Sequence, residues 1–441
     1  MALFVPRHAG ARRRDRTDRR PSDDARAGPG PGPLPGRGRS AGGRRVSRIG
    51  EYRHVAPQGT VDILERLADR VRGRRFLHVS GSRLGGGSAQ ALRAGVPVLN
   101  DLGVDTSWEV TGGDASYYAT ARALQAALEG GERVLTEAGL ERYVETNKTN
   151  AKKLDLRADL VFIHDVPPAS LVTERTAGRW VWRCHFDCAA PQHGAWSFFR
   201  TLVDRFDAAV FSLPQYARRL GVPAYILHPS IDPLSDRNRD LAPREREAVL
   251  TSLRVTQDKP LLLQVGPFTR GHDPLGVVNA YRIVKKHHDV RLVLAGHAED
   301  DPDSREVLAD LREAARTDED VVVLELPADA HLQINALQRV ATIALQKSTQ
   351  ERFDLGVAEA MWKGKPVIGG PTAGIAQQII PHVNGYIVHS VEGTAFRIRQ
   401  LLNNREQIPR MGAAGREHVR RTFLITRQLL DYLALMVHLT A

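Results

Sequence analysis

The sequence predicts an α/β protein built from two facing Rossmann-like domains with a cleft between them. Three observations predict it. Short, nearly all-apolar, β-branched runs alternate with longer amphipathic stretches, the pattern of parallel sheets covered on both faces. The runs fall into two series separated by the charged segment "LAPREREAVLTSLRV" (241–255). With 441 residues, 42% of them hydrophobic, the chain is also too long for one ordinary core.

In chain order, the first series comprises "RFLHVS" (75–80), "DLVFIHD" (159–165), "RWVWRCHF" (179–186), "AAVFSL" (208–213) and "AYILHPS" (224–230). The second comprises "PLLLQVG" (260–266), "VRLVLAG" (290–296), "VVVLEL" (321–326), "ATIALQKS" (341–348), "KPVIGG" (365–370) and "GYIVHS" (385–390). Amphipathic stretches such as "DPLGVVNAYRIVKKHH" and "INALQRVA" fill the intervals as helices. The expected divisions are a tail over 1–46, an N-terminal Rossmann-like domain over 47–245 and a C-terminal Rossmann-like domain over 246–415. A last helix over 416–441 is expected to pack back on the first domain.

The charge of +11 belongs to the tail. Residues 1–50 carry 13 Arg against 4 Asp, whereas the remainder has 49 basic and 47 acidic residues. Pro, Gly and Arg dominate residues 1–46, which are expected to be disordered. They read as an extension without a partner; the competing reading is an electrostatic tether to nucleic acid or an anionic surface. The balanced body argues against a nucleic-acid binder. No apolar run suits a secretory signal or a membrane span, so a cytoplasmic, non-membrane protein is expected. Cys184 and Cys188, with His185 and His193 nearby, fit no zinc spacing. No metal is expected.

Ligands of such folds bind beyond the carboxyl ends of the strands. The first candidate there is Gly85, Gly86 and Gly87, between a strand and a helix, where glycines let a ligand approach the backbone and the helix amides. No Gly-Lys-Ser/Thr follows, so this is not a P-loop. Two strands end in His-Asp pairs, His164 and Asp165, then His185 and Asp187, whose donors and acceptors suit sugar hydroxyls. A structural network at the strand ends is the plainer reading. Finally, Glu351 and Glu359 flank a loop-to-helix junction expected near Leu355, with Lys347 and Lys363 as nearby cations. Acidic residues also favour helix starts without any ligand.

Together these segments resemble retaining GT-B glycosyltransferases that use nucleotide sugars, and more closely the glycosyltransferring trehalose synthases. The likeness runs over about residues 75–435 and is carried by "GGGSAQAL", "PVLNDLGVDTSWEV", "IHDVPP", "WRCHFD", "PSIDPLSD", "DPLGVVNAYR", "INALQRVATIALQKS" and "AEAMWKGKPVIGG". The resemblance implies front-face transfer of glucose from a nucleotide-glucose to a sugar acceptor, glucose giving trehalose, with retention. The nucleotide sugar is a co-substrate, and no cofactor is implied. Glu351, His185 and Asp187 would serve the reacting sugar. Glu359, Arg270, His272, Lys347, Arg352 and Leu355 would hold the donor. Gly85, Gly86, Gly87, Asp165 and His164 would hold the acceptor. The resemblance also implies a homodimer.

The sequence departs from the family pattern at the donor side. By register, Pro267 replaces a diphosphate-binding arginine and His272 a lysine in "GPFTRGHDP" (266–274). Arg352 and Asp354 stand where the family has glycines, Ala373 where its next glycine pair begins, and Gln90 where it has a glutamate. Two lost charge-assisted hydrogen bonds would cost about 3–6 kcal/mol, or roughly 10²–10⁴-fold in donor binding or rate. Arg270 and Arg352 are the cations placed to compensate. Two readings follow: an active hexosyltransferase with an altered donor site, or a lapsed homologue that binds a sugar or a protein without turnover.

Overall fold

The computed structural model describes residues 48–83, 86–298, 302–350 and 353–441. These described residues belong to one compact unit containing two six-stranded parallel sheets. The first comprises β1 (Arg75–Ser80), β2 (Asp105–Val110), β3 (Leu160–His164), β4 (Arg179–Cys184), β5 (Ala208–Phe211) and β6 (Ala224–Ile226), in spatial order 2-1-3-4-5-6. The second comprises β7 (Leu261–Val265), β8 (Arg291–Gly296), β9 (Val321–Glu325), β10 (Ile343–Gln346), β11 (Val367–Gly369) and β12 (Gly385–Ile387), in order 12-11-10-7-8-9. All pairings are parallel, as expected from apolar runs separated by helices.

The central strands explain their own sequences. Every residue of β3 and β7 is buried, so both read as unbroken apolar runs apart from His164 and Gln264. β2 is the strand that the apolar pattern misses. It lies at an edge and buries only Thr106 and Trp108, so "DTSWEV" carries no continuous apolar signal.

Chain order reverses direction between β1 and β3 in the first sheet and between β7 and β10 in the second. These are switch points, where the loops leaving neighbouring strands part and open a crevice. The crevices lie beyond Ser80 and His164 in one sheet, and beyond Val265 and Gln346 in the other.

The C-terminal end differs from the single helix expected over 416–441. One helix, Gln407–Thr422, packs on Leu355–Trp362 beside the second sheet, with Gly415 against Met361. The chain then crosses: Ile231 N–H donates to Phe423 O (2.8 Å) and Ile425 N–H to Ile231 O (2.9 Å). A second helix, Ile425–Thr440, lies on the first sheet, where Leu429, Leu433 and Met436 join Phe76, Phe162 and Val181 in one core. The segment leaving the first sheet is pinned to the second by Asn335, whose Nδ2 reaches Asp236 O (2.8 Å) and Arg239 O (2.9 Å).

Candidate active site

Where the two sheets approach, a cavity of about 400 Å³ is lined from both sides. Asp165, His185 and Asp187 come from the ends of β3 and β4, and Phe353 and Leu355 from the segment after β10. Gln428 comes from the last helix. A second cavity of about 400 Å³, lined by Ser80, Ser82, Tyr118, His164 and Asp165 among others, shares Asp165, Ser88 and Gln125 with the first. Three sequence candidates, Asp165, His185 and Asp187, thus stand together with Leu355 around one space.

Asp165 is held in the left-handed region, φ 60°, where a non-glycine residue is rare. Its surroundings fix it there. Its N–H donates to Arg183 O (2.9 Å), and its Oδ1 accepts from His185 N–H (2.9 Å). Trp182 Nε1 donates to its carbonyl (3.1 Å). Burial raises its carboxyl to about 7, against the lowering effects of the His185 N–H and the Arg183 cation.

His164 lies between two other histidines. Its Nε2 is 3.0 Å from His78 Nδ1 and its Nδ1 is 3.1 Å from His185 Nε2. Both ring nitrogens are therefore engaged within the protein. Burial lowers His78 to about 3. Burial, then the neighbouring His78 and His185 rings and Arg183, push His164 well below the usual imidazole range, and burial with Arg183 does the same to His185. All three rings are neutral near pH 7. Asp187 Oδ1 accepts from Ala189 N–H (2.9 Å), closing the turn after β4.

The donor-side candidates are more dispersed. Leu355 opens the helix Leu355–Trp362 where expected, and Asp354 caps it by accepting from Gly356 N–H (3.0 Å) while also taking a hydrogen bond from Gln346 Nε2. Glu359 is 1% exposed and accepts from Arg237 Nε with both oxygens, at 2.7 and 2.8 Å. Lys347 is buried and paired with Asp273. His272 is buried beneath the loop, its Nδ1 2.8 Å from Thr269 Oγ1.

Arg270 and Lys363 also have partners within the protein. Arg270 is exposed and donates to Glu306 on the helix Pro302–Thr317 (2.7 Å). Lys363 is enclosed and donates to Asn238 Oδ1 (2.8 Å) and Glu359 O (3.2 Å), holding the linker; burial lowers it to about 7. Gly86 and Gly87 open the helix Gly86–Asp101. Gly85, Glu351 and Arg352 lie outside the described residues.

Sequence reasoning missed Gln125, Ser88, Gln428 and Phe353 as cavity residues. Gln125 is one polar position on an amphipathic helix and carries no signal. Phe353 had one, as an aromatic in a loop. Its ring stacks on His228 (6.2 Å, 21°) and meets Phe423 edge-on (5.8 Å), docking the loop of the second sheet on the junction with the first.

Residues 78–218 match the family model described as trehalose synthase, N-terminal domain, and residues 245–418 match glycosyl transferases group 1. A trehalose synthase from Pyrococcus horikoshii is 35% identical over 405 residues, covering 90% of this chain and 97% of that protein. One from Rubrobacter xylanophilus is 33% identical over 404 residues, covering 89% and 97%. Among solved structures, the trehalose-6-phosphate synthase OtsA superposes with a TM-score of 0.65 at 13% identity, covering 82% of this chain and 98% of its own, a likeness of fold.

Proposed function

The chain belongs to the trehalose synthase family of GT-B glycosyltransferases, and from that premise we propose that it moves glucose from a nucleotide-glucose donor to a sugar acceptor, glucose giving trehalose, with retention. The observation that carries the proposal is the cavity in which Asp165, His185 and Asp187 meet Phe353 and Leu355 across two switch points. An acceptor would lie on the first sheet's side, within reach of Asp165 and the loop after Ser80. The donor nucleotide would lie on the second, along the helix that starts at Leu355, with Glu359 as the candidate for the ribose diol.

On this reading the protein's work is positioning and electrostatic stabilisation. The half-buried Asp165 and His185 exchange hydrogen bonds with sugar hydroxyls and exclude water from the reacting carbon. The helix Leu355–Trp362 points its first amides toward the leaving diphosphate, although the Asp354 carboxylate already holds one of them. That favours an altered donor preference or a slower rate over an unchanged one.

The test is calorimetric titration with UDP-, ADP- and GDP-glucose, followed by transfer to glucose with the binding donor. Micromolar binding of one donor and formation of α,α-linked product are expected. Absence of binding and of transfer with every donor would replace this proposal by the non-catalytic reading.

A further inference from the structure

The buried histidines do more than fill space under the cleft. β1, β3 and β4 are neighbours in the first sheet, with His78 in register with Phe162 and His164 with Arg183. Residues two apart on a strand share a face, so His78 stacks on Phe162 (5.0 Å, 12°) and its ring reaches His164 at the next position. His164 and His185 meet end to end with their rings nearly coplanar (centroids 5.4 Å, 12°). At the inner end His78 meets Tyr432 edge-on (5.7 Å), beside a cavity of about 20 Å³, room for one water, lined by Leu92, Leu99 and Leu429 and also by Ser88, Gln428 and the three histidines themselves.

A neutral imidazole has one N–H and one bare nitrogen. When three are joined end to end, each must give on one side and take on the other. Reversing one ring alone sets two N–H groups, or two lone pairs, against each other. The chain therefore has two self-consistent orders, and fixing one proton fixes all three. The charged groups flanking it are Arg183 and Asp165. Arg183 opposes protonating His164 and His185, and burial opposes protonating His78, so the chain transmits order and not charge.

We propose that His78 and His164 are positioning residues: they fix which nitrogen of His185 carries its proton, and hence whether His185 offers a donor or an acceptor to a hydroxyl in the cleft. His185 is the outer end of the chain and lines the cavity. His78 touches neither sugar nor cleft on this account, yet it decides the hydrogen-bond polarity at the site through His164. The catalytic consequence rests on the hexosyl-transfer reading above; the proton order does not.

The experiment labels the full chain with ¹⁵N-histidine and reads each ring's tautomer from long-range ¹H–¹⁵N spectra, with His185 assigned by its loss in His185→Gln. The wild type is expected to show His185 as one tautomer. His78→Phe keeps an aromatic ring on Phe162 and is expected to turn His185 into a mixture of both. His164→Asn, which breaks the link to His78, serves as the second variant if His78→Phe does not fold. A single unchanged tautomer in the variants, or a mixture in the wild type, would overturn the proposal. In the transfer assay, His78→Phe is expected to lower kcat about tenfold, the worth of about one hydrogen bond, with donor KM unchanged. A lower kcat without a tautomer change assigns His78 a packing role and also overturns it. If the wild type transfers no sugar, the functional reading fails while the spectra still decide the chain.

Discussion

His78 shows what a single buried titratable group does to stability. Its ring is held at about 3, against an ordinary 6.5, by burial alone, so the folded protein leaves it neutral where the unfolded chain takes up a proton. His164 and His185 are shifted the same way. Between pH 6.5 and 3 the unfolded state binds more protons, so stability rises with pH there and is lost as pH falls. Asp165 acts oppositely: raised from 3.8 to about 7, it makes the folded state the stronger proton binder across that interval. Three rings outweigh one carboxyl, and acid destabilisation is expected to begin below about pH 6.5. Thermal melts at pH 7 and pH 4.5 check this, and His78→Phe should lose less stability than the wild type between them. A second residue-scale prediction concerns Glu359 and Arg237. Arg237→Met strands a buried carboxylate and should destabilise by about 3–5 kcal/mol in denaturant melts, with most of the loss recovered when Glu359→Gln is added. Neither partner's role was legible from sequence. Glu359 could be placed one turn into its helix, but Arg237 lies 122 residues earlier, and only folding brings it there.

At the scale of elements, the helix Leu355–Trp362 was legible because Asp354 supplies the capping carboxylate its start requires. The same side chain holds the amide that a diphosphate would use. Asp354→Ala should therefore lower stability by about 1 kcal/mol while raising nucleotide-glucose affinity, read by melting and by calorimetry on one preparation. The loop after β7 has a tighter constraint. A Cβ on Gly296 would meet Gly266 O at 1.7 Å, so the backbones of β8 and the donor-side loop touch directly. Gly296→Ala should push Pro267 and the loop aside, and a marked fall in melting temperature with loss of donor binding is the expected pair of results. β2 stayed hidden in the sequence because an edge strand needs only half of its residues to be apolar.

The molecule as a whole depends on its last crossover. The helix Ile425–Thr440 covers Phe76, Phe162 and Val181, so a chain ending at Thr422 would leave that face of the first sheet open. Such a truncation should yield aggregated protein in place of a soluble monodisperse one by size-exclusion chromatography, and a folded, soluble product would refute the packing described. By itself the sequence determined the class of fold, eleven of the twelve strands among the described residues and the segments at the strand ends, because apolar periodicity, caps and turns are local properties of the chain. Only the tertiary structure decided which of those segments share a space. It brought Asp165, His185 and Asp187 to Phe353 and Leu355, turned Arg270 outward to Glu306 and spent Lys363 on the linker. It also joined three histidines from separate strands into one chain. The reason is physical: a charged or polar side chain takes its role from the partners that burial assigns it, and those partners stand far away along the sequence.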